Sequence, residues 1–194
     1  MDALHIGARM SVADPASVRA PLKRRDEDDE ADSLTIFLDT FHDRRTAYAF
    51  GVTAAGVRLD RYYGQAEEWA WDASLDPVWA ARAVRHGSTW TVEMRIPFGQ
   101  LRFRSAPEQV WGLNVRRWIP ARNEEDFWAP MAKEKRGWAS RFGILTGLVG
   151  VRGGGRLELL PSTPSTRSLS SMSRACGRTR MSGFQSTARC SPRR

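Results

Sequence analysis

The chain has 194 residues, of which 41% are hydrophobic, and its formal net charge is +8. This length allows one domain with an appendage, and the composition suffices for a buried core. The charge is uneven, because the part of the chain from Pro161 onward holds seven of the 30 basic residues and no acid. Residues 1–160 therefore carry 23 basic and 22 acidic residues, and the basicity that would suggest a polyanion partner belongs to the C-terminal part alone.

The cysteines and the apolar residues exclude several classes of protein. Cys176 and Cys190 are the only cysteines. Residues 1–160 therefore cannot contain a structural disulfide or a cysteine zinc site. There is no run of eighteen apolar residues, so no membrane span is predicted. The first ten residues lack the basic leader and apolar stretch of a signal peptide.

Alternation of apolar and polar residues with a period of two dominates residues 1–160 and predicts β-strands. In TWTVEMRI (89–96), every second residue from Trp90 to Ile96 is apolar and the residues between them are polar. Similar patterns predict strands at 3–10, 33–39, 47–52, 56–62, 110–119 and 156–160, with turn signals at 53–56, 85–88 and 152–155. No segment has the spacing of an amphipathic helix. The prediction is an all-β fold, an antiparallel β-sandwich.

Two regions depart from the strand pattern, and the start of the chain is abrupt. KRRDEDDEAD (23–32) predicts a charged loop between the first two strands. After Leu160 the composition changes abruptly to nine serines and seven arginines in 34 residues, which predicts a disordered tail over 161–194 and suggests a shifted reading frame. Because a core strand begins at residue 2 or 3, we expect further strands upstream, and the sandwich over 1–160 is predicted to be incomplete.

Five stretches resemble, in this order, the family 9 carbohydrate-binding module. They are DSLTIFLDTFHDRRTAYAFGV (32–52), EEWAWDAS (67–74), WTVEMRIPFGQLRF (90–103), WGLNVRRWI (111–119) and NEEDFWAP (123–130). The resemblance runs from about Asp2 to Leu160, and it is closest to the variant found at the front of large bacterial envelope proteins, where a predicted outer-membrane barrel follows. It implies a β-sandwich, binding of an oligosaccharide or polysaccharide, and a place in the cell envelope or outside the cell. In some relatives it also implies calcium ions and attachment to glycoside hydrolases.

The chain departs from the family pattern at both ends. Family members have strands before the position of Asp2, and after RLELLP (156–161) they continue towards a barrel rather than into a tail of serine and arginine. The chain is therefore interpreted as a fragment of the module, separated from a barrel or enzyme region of a longer parent.

The eight tryptophans all lie between Trp69 and Trp138, and strand parity divides some of them between core and surface. Trp90 and Trp111 alternate with aliphatic residues and are predicted to be core. Trp118 is seven residues from Trp111, an odd offset that places it on the opposite face of an unbulged strand. Asn114 and Arg116 share that face and are predicted to bind ligand with Trp118, although a half-exposed aromatic packed on an arginine stem would give the same pattern.

Two further tryptophans are candidates for ligand binding. Trp71 could stack on the apolar face of a sugar ring while Asp72 bonds its hydroxyls, with a core tryptophan beside a turn acid as the alternative. Trp128 lies in a predicted loop, where binding residues concentrate, although it could instead close the end of the sandwich.

Calcium is the metal ion that the resemblance implies. Asp39, Asp32 and Asp43 would supply the oxygen ligands that calcium prefers, but there is no calcium-loop spacing, and acidic runs are usually solvated. Catalysis lacks a signature, since nothing pairs two carboxylates as a glycosidase requires. The prediction is a non-catalytic carbohydrate-binding module. The alternatives are a domain of a glycoside hydrolase and a fragment that binds nucleic acid weakly through its arginine-rich tail.

Overall fold

The alternating patterns form two antiparallel sheets that pack face to face. The computed structural model describes residues 2–27, 30–64, 71–72, 74–131 and 137–153. Within them the strands are β1 (Ala3–Ser11), β2 (Ser33–Asp39), β3 (Ala47–Thr53), β4 (Arg58–Tyr63), β5 (Trp71–Asp72), β6 (Ala80–His86), β7 (Thr89–Pro97), β8 (Glu108–Ile119), β9 (Glu124–Phe127) and β10 (Gly143–Val149). Three short 3-10 helices cover Pro15–Ser17, Phe98–Gln100 and Trp138–Arg141.

The two sheets differ in size. The small sheet has the order β1-β7-β6, and the large sheet has the order β10-β8-β2-β3-β4-β5 with β9 also paired to β8. Strand β8 is long enough to pair with β10 near its beginning and with β9 near its end. Strands β2 and β8 therefore lie inside the large sheet, and β8 has a paired strand on each side.

The core lies between the sheets and follows the predicted alternation. Leu34, Ile36 and Leu38 of β2 pack with residues of the small sheet such as Trp90 and Val92. Alternate residues of β1, namely Leu4, Ile6, Ala8 and Met10, pack against the same cluster. Since all seven residues of β2 are buried, side chains also cover the opposite face of the large sheet along β2.

The all-β antiparallel sandwich is confirmed, together with the strands predicted near 3–10, 33–39, 47–52, 56–62, 89–96 and 110–119. Strands β6, β9 and β10 were not predicted. The strand predicted at 156–160 and the tail at 161–194 lie outside the described residues. In the part of the chain that is described, no helix has the length and apolar character needed to cross a membrane.

Candidate functional site

The face of the large sheet that points away from the small sheet, the outer face, carries the side chains predicted to bind ligand. Cross-strand pairing defines it, because directly paired residues lie on the same side of a sheet. Ser33, Thr35 and Phe37 of β2 pair with Trp118, Arg116 and Asn114 of β8, in that order. On the other side, the same three residues pair with Thr53, Gly51 and Ala49 of β3. The outer face therefore contains the predicted trio Trp118, Arg116 and Asn114.

One half of the outer face is apolar and covered. The 3-10 helix at Trp138–Arg141 lays the Trp138 ring over Phe37 and Tyr63, with ring centroids 5.2 and 4.6 Å away. Phe142 also packs against Trp138, with ring centroids 4.9 Å apart. These rings, with Ala47 and Ala49, form a second small core. Trp138 therefore serves to bury this half of the sheet.

A small pocket with a mixed polar and apolar lining borders this covered half. Its lining consists of Thr35, Ala49, Leu59, Arg61, Tyr63 and Arg116. Gly51 contributes to its shape, because a Cβ at that position would approach Thr35 Oγ1 to 2.9 Å and Leu59 to 3.1 Å. The floor is thus made of small residues, and the two charged groups that line it are both guanidinium groups.

Trp118 lies on the outer face at the polar end, as strand parity predicted. It pairs with Ser33 on one side and with Glu125 on the other, and its side chain is half-buried. Trp111, by contrast, is fully buried between the sheets, with its ring 5.3 Å from Phe103 and its Nε1 donating to Gln109. The predicted division between a core Trp111 and an outer Trp118 is confirmed.

Arg116 spans the outer face between Trp118 and the covered half. Its side chain is 15% exposed, and one terminal nitrogen lies 3.4 Å from a carboxylate oxygen of Glu125. Its guanidinium carbon lies 5.9 Å from the centre of the Phe37 ring. Arg116 Nε is buried, and no described residue accepts a hydrogen bond from it. The group is therefore held in place while part of its donor capacity is unused within the described structure.

Asn114 is on the predicted face but is occupied in holding the chain after β9. The residue is 1% exposed. Its amide nitrogen donates to the carbonyl of Ala129, and its amide oxygen accepts from the backbone N–H of Ala129 and of Val115. Because both ends of the amide have partners and the side chain is buried, the structure gives Asn114 a structural role in place of the predicted contact with a ligand.

Trp71 shares the outer face with Trp118 but lies far from it. The ring is 45% exposed and stacks with the Arg61 guanidinium group, whose central carbon is 4.4 Å from the ring centre. Trp71 is four strands from Trp118 and six residues further in register. By standard sheet spacings their Cα atoms are roughly 25–30 Å apart. The two indoles therefore cannot enclose one sugar ring.

Asp72 and Trp128 lie away from this group. Asp72 follows Trp71 in β5, so its side chain points to the opposite face, and it accepts a hydrogen bond from Ser74 N, which lowers its pKa. Trp128 is 60% exposed, and its ring lies directly over Gly143 of β10, where a Cβ would collide with it. The structure does not bring either residue together with Trp118 and Arg116. Trp69, the other tryptophan in the EEWAW stretch, lies outside the described residues.

The three predicted calcium ligands do not come together: Asp43 N donates to Asp39 Oδ1, but Asp32 lies apart from both. Asp32 and Asp39 lie at opposite ends of β2, and both are buried. Burial raises the pKa of each, although each accepts a hydrogen bond from backbone N–H. Asp43 is bonded to Arg45 N and Thr46 N. No group of three or more acidic, histidine or cysteine side chains among the described residues could hold a metal ion, so these residues do not fit calcium.

Sequence reasoning did not identify Thr35, Gly51 and Arg61 as neighbours of Arg116. They come from three different strands, and only the register of β2, β3 and β4 brings them to one place. The signal available was weak: Thr35 and Gly51 interrupt the mostly apolar strands β2 and β3, whereas Arg61 lies in a strand of mixed composition and does not stand out.

The architecture is that of an antiparallel β-sandwich with one polar, aromatic outer face. Among solved structures, it is similar to a family 9 carbohydrate-binding module from Caldicellulosiruptor kristjanssonii in complex with cellotriose, with a TM-score of 0.51, 18% identity, and coverage of 82% of this chain and 76% of that one. It is also similar to a candidate carbohydrate-binding protein from Bacteroides uniformis, with a TM-score of 0.54, 18% identity, and coverage of 74% and 72%. No family model and no curated protein matches the sequence. The chain has the fold of the family 9 carbohydrate-binding modules, as the resemblance implied.

Proposed function

We propose that this chain is a non-catalytic module that binds a saccharide on the outer face of its large sheet. The observation that carries the proposal is the position of Trp118, a half-buried indole on the outer face, two residues from Arg116 on the same strand. A sugar ring presents an apolar face of C–H groups and a rim of hydroxyls. An indole packs against the first, and guanidinium and hydroxyl groups bond the second. The fold shared with the two solved structures supports the same assignment.

Within this proposal Trp118 stacks on one sugar unit and Arg116 fixes its orientation. Trp71 is too far away to contact the same ring, so it would meet a different unit of a longer chain. Asp72 and Trp128 lie off the outer face and are assigned no contact with that unit. The ligand class is accordingly an oligosaccharide or polysaccharide rather than a monosaccharide held in a closed cavity.

The test is binding of saccharides by the whole chain and by Trp118→Ala. We expect the parent to be retained on an insoluble or gel-embedded polysaccharide and to bind soluble oligosaccharides in calorimetry, and Trp118→Ala to lose both. Val84→Ala, which removes an exposed apolar side chain from the small sheet, is the matched control and should bind as the parent does. If Trp128→Ala abolishes binding and Trp118→Ala does not, the site lies elsewhere than the outer face.

The cellular setting is a separate proposal that rests on the resemblance. We propose that the module acts in the cell envelope or outside the cell, attached in its parent protein to a barrel or an enzyme region that takes part in polysaccharide recognition or breakdown. Fractionation of cells that produce the full parent protein, with detection of the module in each fraction, is the measurement. Recovery in the cytoplasmic fraction alone would contradict it.

A further inference from the structure

The pocket beside Arg116 carries two buried donors whose hydrogen bonds are not made within the described structure. Arg116 Nε is one of them. The hydroxyl of Thr35 is the other: the residue is 5% exposed, and its Oγ1 has no hydrogen-bond partner among the described residues. A buried donor without an acceptor costs about 1–3 kcal/mol, so such atoms commonly mark the place of a missing partner. Here two of them line the same pocket.

The shape of the pocket leaves space beside these buried donors. Thr35 and Arg116 are directly paired across β2 and β8, so their side chains leave the sheet side by side. On the other side of Thr35, the position that a side chain would fill is Gly51, where an added Cβ would lie 2.9 Å from Thr35 Oγ1. The absence of a Cβ at this point leaves space beside the hydroxyl, which is itself buried from solvent.

The charge of the lining selects the kind of group that fits. The ionisable side chains that line the pocket are Arg61 and Arg116, both cationic, apart from the hydroxyl of Tyr63. Glu125, which is outside the lining, pairs with a terminal nitrogen of Arg116 at 3.4 Å, and Nε has no hydrogen-bond partner among the described residues. A neutral hydroxyl would use only part of this arrangement. An anionic oxygen would satisfy a donor and gain from the positive charge at the same time.

We propose, resting on the saccharide-binding function above, that the module prefers acidic saccharides and that the Arg116–Thr35 pocket binds the carboxylate of a uronic acid unit. A carboxylate has two coplanar oxygens, which match the fork of a guanidinium group, and one of them can also accept from the Thr35 hydroxyl. A sulfate ester is tetrahedral, and its third oxygen would meet the apolar lining of Ala49 and Leu59. Trp118 would then stack on the same uronic acid unit or on its neighbour.

The first experiment compares ligands that differ only in charge. Calorimetry with the whole chain would use oligogalacturonate, the same oligomer as its methyl ester, a neutral cello-oligosaccharide and a sulfated oligosaccharide. We expect the free acid to bind about ten times more tightly than the ester, since charge-assisted hydrogen bonds are stronger than neutral ones, and the difference to shrink at high salt. Equal affinity for acid and neutral ligands overturns this inference and leaves the proposed function standing. Binding of no saccharide overturns both, and a preference for the sulfated ligand overturns the carboxylate assignment.

The second experiment uses paired variants. Thr35→Val removes the hydroxyl at nearly constant volume and should reduce the preference for the acid over the ester several-fold, whereas Thr35→Ser should keep it. Arg116→Lys keeps the charge but loses the fork and should also reduce the preference. Glu125→Gln removes a carboxylate that competes for Arg116 and should strengthen binding of the acid. Each variant is accompanied by a thermal melt, and an unchanged acid-to-ester ratio in folded Thr35→Val and Arg116→Lys would overturn the proposal.

Discussion

The two faces of the large sheet are built from the same strands but have opposite chemistry. On the inner face, Leu34, Ile36 and Leu38 of β2 meet the small sheet in a continuous apolar core. On the outer face, the alternate residues are Ser33, Thr35 and Phe37, of which only Phe37 joins a second apolar cluster. A binding function needs this asymmetry, because one face must supply the stability that lets the other keep donors without partners among the described residues.

The tryptophans of β8 show the same asymmetry within one strand. Trp111 is enclosed by rings of the core and its indole nitrogen is satisfied, whereas Trp118, seven residues later, is half-buried beside charged groups. A tryptophan alone therefore indicates neither core nor ligand. Its position in the alternation of inward and outward side chains along the strand determines which of the two roles is available to it.

The largest expected loss of stability comes from removing a large buried side chain from the inner face. Trp111→Ala would leave a cavity where a fully buried indole packs against Phe98 and Phe103. We expect the free energy of unfolding to fall by about 3–5 kcal/mol, measured by urea or guanidinium denaturation. A loss below about 1 kcal/mol would mean that the inner face is not the main source of stability.

A smaller loss is expected from Asn114, which is on the outer face but has a structural role. Asn114→Ala would remove both hydrogen bonds to Ala129 and leave partly buried backbone groups without these partners. We expect destabilisation of about 1–3 kcal/mol. Saccharide binding by the protein that remains folded should be unchanged, and a selective loss of binding with full stability would instead return Asn114 to the ligand site.

Trp118→Ala separates the two faces most directly. Because the ring is only half-buried and lies on the outer face, we expect the unfolding free energy to stay within about 1 kcal/mol of the parent, while retention on polysaccharide is lost. Denaturation and affinity electrophoresis on the same preparation make the comparison. Unfolding of this variant would show that the outer face is a second core rather than a binding surface.

The accuracy with which the fold could be predicted from the sequence differs from strand to strand. Strands such as β2 and β7 alternate cleanly and were predicted closely, and the resemblance to family 9 modules indicated the fold. Strand β6 was missed because Ala80–His86 combines alanine with arginine and histidine at the edge of the small sheet. Strand β9 was missed because three of its four residues are acidic, and β10 because a register shift between Leu145 and Leu148 breaks its alternation.

The site was predictable along one strand but not across strands. Parity within β8 placed Trp118, Asn114 and Arg116 on one face, and the structure confirms this. Strand parity could not show that the Asn114 side chain would hydrogen-bond to the backbone of Ala129, because that contact depends on the path of the chain after β9. Nor could it show that Thr35 and Gly51 would border Arg116, since that requires the register of three strands.

The smallest expected effect concerns Asp39, a buried acid at the end of β2. Burial raises the pKa of Asp39 above 3.8, while hydrogen bonds from the backbone N–H groups of Arg44 and Asp43 act in the opposite direction. A carboxyl group whose pKa is higher in the folded state binds its proton more tightly there than in the unfolded state. Its contribution to stability is therefore greatest below the unfolded pKa and is lost as the pH rises through the raised value. Asp39→Asn cannot titrate, so the stability of the parent relative to this variant should decline as the pH rises from below 3.8 through the raised pKa, measured by urea denaturation at each pH. A relative stability that instead rises with pH would mean that the two backbone hydrogen bonds outweigh burial, and that the ionised carboxylate is the form the fold prefers.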